Sequence, residues 1–263
     1  MKQGAYNYNR QNIIQALLEV GISKKDHIFT YSNVGAFGKL EESTSGDDYY
    51  RIFKEAVFEV IGNEGTWIQP TFSYSFCWNK KFDIDKTPGI CGFLSEMMRK
   101  DPESLRSEDA NFSITAVGSK AEYITKNAPE NPYAKEGFWD RFIKIDGKFC
   151  NFNFDAASTF IHYVERELKI HYRYDKPFNG ELIKGDKVEQ RIFYHFAYNK
   201  DNPVYRPDYP KFDRKAREMA LAQIAVLGKG QIVCISAKDT FELIKKELKN
   251  DPNFLIAGTI DPD

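Results

Sequence analysis

The sequence predicts an α/β protein in which helices cover one sheet. Two observations support this fold class. Segments with helical and with strand-like spacing alternate along the first third of the chain, which is typical of α/β architectures. The chain has 263 residues, of which 42% are hydrophobic and 29% charged, so it can bury a large core as one domain or as two closely packed lobes.

Periodic apolar residues define the elements of the amino-terminal half. Apolar side chains three and four positions apart indicate helices, short β-branched and aromatic runs indicate strands, and glycines such as Gly21 and Gly62 mark ends. The aromatic stretch 70–88 shows neither helical nor strand periodicity and is predicted to be irregular. Arg106-Ser107 is predicted to lie in a loop. The predicted elements are helices at 10–20, 49–61, 92–100 and 121–127 and strands at 27–31, 66–69 and 114–117.

The carboxyl-terminal half is predicted from the same periodicities. A strand at 148–154 leads into a helix at 158–168. Residues 169–212 are rich in tyrosine, proline and charge, and we expect an insertion or sub-lobe there, within a single domain that spans 1–263. The remaining predicted elements are antiparallel strands near 181–198, a helix near 213–227, a strand at 231–235 and a helix at 240–250.

The composition excludes several classes of function. A net charge of −1 and a pI near 6.5 provide no field that would capture nucleic acid or an anionic membrane. No run of about 18 apolar residues appears, and the amino terminus has no apolar signal core, so we expect a cytoplasmic protein without a membrane partner. The cysteines form no C-x-x-C pair, which argues against structural zinc and fits reduced thiols; they are Cys77, Cys91, Cys150 and Cys234.

Common catalytic motifs are also missing from the sequence. The chain has no G-x-S-x-G elbow and no H-E-x-x-H zinc motif. The glycine-rich segment 228–230 lacks the spacing of a phosphate-binding loop and is predicted to be a turn. His27, His171 and His195 have no carboxylate at an informative spacing, so they are predicted to be structural or exposed.

One polar cluster remains as a candidate site. Thr159, His162 and Glu165 place a hydroxyl, an imidazole and a carboxylate at three-residue intervals, and a helix would bring all three toward one face. Such a set can take a proton from a nucleophile, orient the base and hydrogen-bond an acyl oxygen. Spacing alone favours the alternative, the polar face of an amphipathic helix, because a lone histidine is more often structural.

Seven short motifs occur in order along the chain. They are Tyr31-Ser32-Asn33-Val34 with Gly38, Gly65-Thr66 with Pro70-Thr71-Phe72, Phe82-Asp83 with Thr87-Pro88 and Gly92, Leu94-Ser95-Glu96 with Arg99, Leu105-Arg106-Ser107, Phe112-Ser113 with Gly118, and Thr159-x-x-His162-x-x-Glu165. In this order and spacing they resemble the aminoglycoside 3-N-acetyltransferase family, antibiotic N-acetyltransferases unrelated to the common GNAT fold. The resemblance covers residues 12–182 and extends weakly into the tail at 251–255.

The resemblance implies a central mixed sheet flanked by helices. The chain departs from the family pattern at three places. Asn33 stands where members usually have a second serine, Asp109-Ala110 where they commonly have His-Pro, and Asn153 where they usually have glycine. These changes bear on the substrate more than on the reaction, because the Thr-x-x-His-x-x-Glu pattern is intact.

The resemblance also implies direct transfer of an acetyl group from acetyl-coenzyme A to a primary amine of a sugar. An amine with a pKa of about 8 is largely protonated at neutral pH, so a base is needed. His162 is the predicted base, and Glu165 either orients its imidazole or holds the substrate ammonium. Thr159 bonds the developing oxyanion or the departing thiolate. No metal is predicted.

Binding residues follow from the same resemblance. The predicted acetyl-coenzyme A contacts are Ser32, Asn33, Val34, Arg106, Ser107 and Ser113, and the predicted acceptor contacts are Tyr74, Asp83 and Asp155. Arg106 suits phosphate because its guanidinium is permanently charged and forked, although a salt bridge within its loop is an equal alternative. The aromatic stretch 72–78 suits the C–H faces of a sugar, and core packing is the equal alternative there.

The charge of the chain restricts the class of acceptor that we expect. An enzyme for polycationic aminoglycosides benefits from a strongly acidic cleft, whereas this chain is nearly neutral. Residues 166–217 even hold a run of cations, including Arg166, Lys169, Arg173, Lys176, Arg206 and Arg214. We therefore expect a small-molecule partner, a single-amine sugar either free or nucleotide-linked, used in surface polysaccharide or secondary metabolism. The alternatives are an aminoglycoside acceptor, with antibiotic resistance, and a non-catalytic or hydrolytic relative that binds a coenzyme A thioester. A monomer or a homodimer is expected.

Overall fold

The fold is taken from a computed structural model that describes residues 7–199 and 206–257. Two short 3₁₀ turns lie at Val34–Ala36 and Phe76–Trp78. No helix in the described ranges has the length and apolar character that crossing a bilayer requires. The α-helices are α1 (Arg10–Glu19), α2 (Gly46–Ile61), α3 (Phe93–Lys100), α4 (Ala121–Thr125), α5 (Phe138–Lys144), α6 (Phe160–Glu167), α7 (Tyr209–Glu218) and α8 (Ala237–Asn250).

The strands within these ranges form a large central sheet and three small sheets. They are β1 (Asn7–Tyr8), β2 (His27–Phe29), β3 (Lys39–Leu40), β4 (Thr66–Pro70), β5 (Phe82–Asp83), β6 (Leu105–Arg106), β7 (Ile114–Gly118), β8 (Lys148–Phe152), β9 (Arg173–Lys184), β10 (Lys187–Tyr198), β11 (Arg206–Pro207), β12 (Gln223–Leu227), β13 (Gly230–Ser236) and β14 (Ile256–Ala257). The central sheet has seven strands in the order β12-β13-β8-β2-β4-β7-β6. Strands β8, β2 and β4 are parallel, and the outer pairs are antiparallel. The predicted mixed sheet is confirmed.

The three parallel strands end at the same edge of the sheet. Phe29 pairs with Ile68 of β4 and with Phe149 of β8, so the strands are in close register. The chain continues from β2 into Tyr31 and from β8 into Asn153. Ligands of open α/β sheets bind outside the carboxyl ends of parallel strands. This edge is therefore where a site is expected.

Alternate strand residues fill a separate core on each face of the sheet. Ile28 and Trp67 pack with buried residues of α1, α2 and α3, whereas the adjacent Phe29 and Ile68 pack with residues of α4 to α8. Successive side chains of a strand point to opposite faces, so two neighbouring apolar positions serve two cores. The sheet is covered on both sides, as the alternation of helices and strands predicts.

A long hairpin stands outside the central sheet. Strands β9 and β10 pair antiparallel over their 12 residues each, and β5 joins β9 as a parallel third strand. The hairpin lies within the predicted sub-lobe at 169–212, of which residues 200–205 are outside the described ranges; a single domain with that sub-lobe stays a prediction. The small core beneath the hairpin consists of Phe76, Phe82, Ile84, Ala110, Leu182 and Phe193.

The helix predicted at 213–227 is wrong over its second half. Helix α7 ends at Glu218, and the last five residues form strand β12 against β13. Ala220 adopts a left-handed φ of 54° between the two elements. Ala225 and Leu227 are buried at alternate positions, and a short apolar run of this kind does not distinguish a strand from a helix by period alone. Helix α5 has no counterpart among the predicted elements.

Gly228 and Gly185 form a matched pair for testing the fold, because each opens a two-residue hairpin turn, with φ of 57° and 58°. An added Cβ at Gly228 would lie 2.0 Å from the Phe37 carbonyl oxygen, whereas nothing lies within 4 Å of one at Gly185. We expect Gly185→Ala to lower the free energy of unfolding by about 1 kcal/mol, from the left-handed backbone alone. Gly228→Ala should lower it by at least about 3 kcal/mol. Urea denaturation measures both, and equal losses would contradict the close approach.

Candidate active site

The candidate site is built where the loop after β8 meets the end of β2. Asn151 is fully buried in β8. Its side-chain amide donates to the carbonyls of Asp155 (2.6 Å) and Ala157 (3.3 Å), and its oxygen accepts the N–H of Tyr31 (3.3 Å). One side chain therefore fixes both segments. The loop then delivers Thr159 to the start of α6, where its Oγ1 lies 2.5 Å from the Tyr31 hydroxyl.

Helix α6 brings His162 and Glu165 into direct contact. The Nδ1 atom of His162 lies 2.7 Å from Oε2 of Glu165. This is the meeting of imidazole and carboxylate that their three-residue spacing predicts. The third member of the predicted set, Thr159, lies at the helix start and bonds with Tyr31 instead of with His162. The cluster is thus a pair plus a neighbouring hydroxyl.

Glu165 is a buried carboxylate with three partners. Its side chain has 0% exposure. Besides His162, the Tyr172 hydroxyl donates to Oε1 (2.8 Å), and Arg173 Nε lies 3.0 Å from Oε2. The Arg173 N–H is not aligned for a hydrogen bond, so this contact is an ion pair. Burial alone would raise the pKa of Glu165, but the hydrogen bond to His162 and the charge of Arg173 hold it below its ordinary value.

Arg173 connects this carboxylate to three other parts of the fold. Its terminal nitrogens donate to the Phe196 carbonyl (2.9 Å) and to the Tyr209 hydroxyl (3.0 Å). The guanidinium also lies over the ring of Tyr198, 3.7 Å from its centroid. In the sequence, Arg173 stands out only as one of the cations of segment 166–217. Lys169, with φ of 53° just after α6, reverses the chain and allows the contact with Glu165, and no sequence period signals that reversal.

These surroundings leave His162 neutral at pH 7. Burial and the charge of Arg173 lower the pKa of His162, and the opposing effect of Glu165 is smaller. A neutral imidazole next to a carboxylate donates from Nδ1, so Nε2 carries the free lone pair. The side chain is still 15% exposed and lines a cavity. His162 therefore has the protonation state of a general base.

A cavity of about 230 Å³ opens over His162 and Thr159. Tyr209 of α7 closes one side, with its ring centroid 5.9 Å from that of His162. The Oγ of Ser158 is buried and has no hydrogen-bond partner among the described residues. No sequence period signals Tyr209, which lies far along the chain from His162, whereas Ser158 lies four residues before His162, at helical spacing, and could have been found from the sequence. The cavity is lined by Tyr31, Phe154, Ala157, Ser158, Thr159, His162 and Tyr209.

The segment 32–34 runs from this cavity to a second groove. Ser32 forms a β-bridge with Phe152, and the N–H of Asn33 donates to the Phe152 carbonyl (2.9 Å). Val34 then lines a groove of about 340 Å³, next to Tyr49 and Phe93. Because the preceding residue, Tyr31, lines the first cavity, one short stretch of chain borders both openings.

Arg106, Ser107 and Ser113 are placed together but are engaged within the protein. The buried guanidinium of Arg106 donates to three backbone carbonyls, at distances of 2.6 to 3.1 Å, and to Ser113 Oγ. Ser107 Oγ accepts the N–H of Ile114 (2.9 Å), and Arg106 belongs to edge strand β6, not to a loop. These contacts support a structural role for Arg106, with carbonyls in place of the carboxylate partner of a salt bridge. A contact with coenzyme A phosphate stays a prediction.

Tyr74 lies in an aromatic cluster on the other side of the site. Its backbone adopts φ of 49°, a conformation that aromatic residues rarely take and that concentrates at functional sites. Its ring packs against Phe112 (5.2 Å) and His195 (6.4 Å). Tyr74 is half-buried, and its contact with the acceptor stays a prediction.

The other two predicted acceptor residues have local roles in the structure. Asp83 Oδ1 accepts the N–H groups of Asp85 and Lys86, both at 3.0 Å, and so caps its own turn. Asp155 Oδ1 accepts the N–H of Ala157 (2.9 Å) in the loop that borders the cavity, and burial raises its pKa. Neither contact brings the carboxylate to His162.

No cluster of His, Cys, Asp and Glu side chains that would hold a metal ion occurs in the described part of the chain. All four cysteines are free. Asn153, which departs from the family glycine, adopts φ of 59°. Asparagine tolerates this left-handed conformation better than other non-glycine residues, which explains how the loop keeps its shape.

A comparison with protein families identifies the chain. The family described as aminoglycoside 3-N-acetyltransferase matches residues 32–249. The chain belongs to this family. It is therefore an N-acetyltransferase that uses acetyl-coenzyme A as its co-substrate, and the resemblance carried by the seven sequence motifs is confirmed.

Solved structures of aminoglycoside acetyltransferases share the fold of this N-acetyltransferase. The AAC(3)-IVa apoenzyme is 21% identical over 98% of this chain and 94% of its own, with a TM-score of 0.78. AAC-IIIb in a binary complex with CoASH is 19% identical over 97% of this chain and 100% of its own, with a TM-score of 0.78. AAC-VIa bound to sisomicin is 20% identical over 93% and 98%, with a TM-score of 0.75. No curated protein matches the acetyltransferase in a sequence search.

The acetyltransferase has a feature that fits coenzyme A beside the cavity. The Oγ of Ser32 is buried and has no hydrogen-bond partner among the described residues. Leaving such a group unpaired is unfavourable, so a ligand group that bonds it gains affinity. Ser32 lies between the cavity over His162 and the groove at Val34, which suits a long thioester that must reach from a groove to a reacting centre.

Replacing Glu165 with glutamine tests the electrostatics of the pair. The carboxylate raises the pKa of His162, so Glu165→Gln should move that pKa further below its ordinary value. The imidazole resonances of His162, followed by NMR as a function of pH, measure the change. Glu167→Gln, an exposed site on the same helix, serves as the control and should leave the titration in place. An unchanged titration in Glu165→Gln would show that the pair does not form in solution.

Proposed function

We propose that this acetyltransferase acetylates one amine of a small anionic amino sugar, with His162 as the general base. The observation that carries the proposal is the buried His162–Glu165 pair below an open cavity. The pair holds a neutral imidazole with a free Nε2 at a place that a substrate amine can reach. A base with a pKa somewhat below the working pH removes a proton without being protonated beforehand.

In the proposed step, the amine enters in its neutral form, its ammonium proton having gone to solvent, and His162 Nε2 takes the second proton, which the nitrogen loses as it bonds to the acetyl carbon. Acetyl-coenzyme A supplies the activated acyl group, and its C–S bond breaks as the amide forms. The proton then passes from Nε2 to the sulfur, so His162 returns to its neutral form and the atoms balance. While the imidazole is cationic, the carboxylate of Glu165 stabilises it and holds its orientation. This assigns Glu165 to His162 and not to the substrate ammonium.

Thr159 is the proposed donor to the oxyanion or the departing thiolate. The Tyr31 hydroxyl oxygen is 3.4 Å from the N–H of Thr159, so it is already an acceptor. Either hydroxyl can donate in the 2.5 Å contact between Tyr31 and Thr159 Oγ1, and where Tyr31 donates, the Thr159 hydroxyl proton is left to point into the cavity. A fixed donor at the reacting carbon is worth several kcal/mol to a transition state, of order 3 kcal/mol for a single group. Ser32, Asn33 and Val34 are the residues that would hold the coenzyme A arm.

The hairpin supports an anionic acceptor. Lys176 and His195 are direct cross-strand partners, so their side chains share a face. Burial is the main cause that lowers the pKa of His195 to about 4, and the cations Arg173 and Lys176 add to it, so His195 stays neutral. Lys176 makes no ion pair with a described residue and lies over the ring of Phe178, 5.0 Å from its centroid. Lys176 thus stands beside the aromatic cluster as a cation, together with the buried Asp109, whose Oδ1 accepts the Phe112 N–H and whose pKa burial raises to about 7.

An aminoglycoside acceptor is the second candidate. The family and the structure of AAC-VIa with sisomicin favour it. A polycation would have to approach Lys176, which disfavours it here. We also keep as proposals a cytoplasmic location, a monomer or homodimer, and the absence of nucleic-acid and membrane partners.

Loss of the base should be severe. His162→Ala removes the group that takes the amine proton, so kcat should fall about 10²- to 10⁴-fold. Thiol release from acetyl-coenzyme A, followed by a colorimetric thiol reagent, measures the rate. His171→Ala, at an exposed position just beyond the same helix, is the control and should keep full activity. Full acetyl transfer by His162→Ala would exclude the proposed mechanism.

A panel of acceptors tests the substrate class. With acetyl-coenzyme A held constant, we expect kcat/KM for glucosamine 6-phosphate to exceed that for glucosamine about tenfold, since one charge-assisted contact is worth about 1.5 kcal/mol or more. Lys176→Gln should remove that preference, whereas Lys187→Gln at the exposed end of the hairpin should not. Thiol release with sisomicin but with neither glucosamine nor glucosamine 6-phosphate would establish an aminoglycoside acceptor. Thiol release without any acceptor would establish the hydrolytic alternative.

A further inference from the structure

Tyr133 is held against the catalytic histidine in the segment between α4 and α5. Its side chain is fully buried, with ring centroids 6.0 Å from His162, 5.8 Å from Phe112 and 6.3 Å from Phe196. The side chain of Asn131 accepts its backbone N–H (2.9 Å). Ring and backbone are therefore fixed by the protein before any ligand binds.

The Tyr133 hydroxyl is exceptional among the buried tyrosines. It is buried and has no hydrogen-bond partner among the described residues. Burying a hydroxyl without a partner is unfavourable, and native proteins rarely retain such a group without a reason. The other four buried tyrosines of the described chain are paired: Tyr8 with Tyr49, Tyr50 with Asp101 at 2.7 Å, Tyr163 with Asp140 at 3.1 Å and Tyr172 with Glu165 at 2.8 Å. The half-buried Tyr198 is the other tyrosine whose hydroxyl has no partner there.

The surroundings of this hydroxyl locate it at the acceptor side of the site. Burial and then the nearby Tyr74, Asp109 and Tyr31 raise the pKa of Tyr133 well above its ordinary value, so the phenol is a permanent donor. Tyr31 lines the cavity over His162, and Tyr74 belongs to the aromatic cluster. Asp109 also has a buried oxygen, Oδ2, without a partner among the described residues. The ring of Tyr133 contacts His162 and Phe112, so its unpaired hydroxyl lies in the wall between the cavity over His162 and the aromatic cluster, behind the residues that line the cavity.

We propose that the Tyr133 hydroxyl binds the amine acceptor, donating a hydrogen bond to a ring oxygen or hydroxyl of the sugar next to the reacting amine. This inference rests on the proposed function and adds a substrate-binding residue to it. The hydroxyl is left unpaired in the free enzyme, and the acceptor supplies the missing partner. An acceptor without an oxygen at that place gains nothing from it, so Tyr133 selects for hydroxylated amines over simple alkylamines.

Tyr133→Phe tests the proposal, because it deletes only the hydroxyl and keeps the ring beside His162. Removing an unpaired buried hydroxyl should leave the melting temperature of the free enzyme unchanged or raise it by about 2–4 °C. The KM for the acceptor should rise about 3- to 10-fold, with the KM for acetyl-coenzyme A within twofold of wild type. The acceptor probe is glucosamine 6-phosphate or sisomicin, whichever the wild type acetylates faster.

Tyr50→Phe is the matched control. It removes the hydroxyl of a buried tyrosine (7% exposed) that is paired with Asp101 and packs in the core on the other face of the sheet, so it should lower the melting temperature and leave both KM values unchanged. A fall in melting temperature in Tyr133→Phe as large as in Tyr50→Phe would show a structural partner and overturn the proposal. An unchanged acceptor KM in an active enzyme overturns the role of Tyr133 alone. Wild type that acetylates neither probe overturns the proposed function, and this role with it.

Discussion

The buried negative charge of Glu165 is the constraint on which the rest of the site depends. Removing an ionised carboxylate from water costs several kcal/mol, and only good partners offset it. Here the partners are an imidazole, a phenol and a guanidinium, contributed by α6, the following loop and β9. Arg173 links the carboxylate to two further elements, because its remaining N–H groups donate to β10 and α7. One charge therefore fixes the relative positions of two helices and the hairpin.

The same arrangement divides the site into two sides. The carboxyl ends of the parallel strands supply Tyr31 and the 32–34 segment, which border the cavity and the groove proposed for coenzyme A. The hairpin supplies His195 and Lys176 beside the aromatic cluster proposed for the acceptor. His162 lies between them. Transfer between two substrates needs a base at their boundary, and the fold places one there because α6 starts at the sheet edge and ends under the hairpin.

Local patterns in the sequence predict the fold better than they predict the partners within the site. Most helices and strands and the His162–Glu165 contact follow from periods of a few residues, which the backbone geometry imposes directly, whereas the mixed sheet follows from the family resemblance. At Gln223–Leu227 the sequence predicts a helix where the structure has a strand, because a short apolar run carries no decisive period. The contacts of Arg173 and Tyr133 depend on chain reversals and tertiary packing, which produce no periodic pattern in the sequence. The charge of Arg106 predicts a contact with phosphate, yet the backbone carbonyls that surround its guanidinium come together only in the folded chain.

The attachment of the hairpin has a consequence for motion. Its first residue, Arg173, is tied to the buried carboxylate, and its last, Tyr198, packs on the Arg173 guanidinium. The tip, where Val188 is 60% exposed, is held instead by the small core, by the pairing of β5 with β9 and by the ion pair of Lys184 with Glu108. Segments with few contacts to the main core open at lower free energy than the whole protein. Opening of the tip would therefore leave the contact between Glu165 and Arg173 in place.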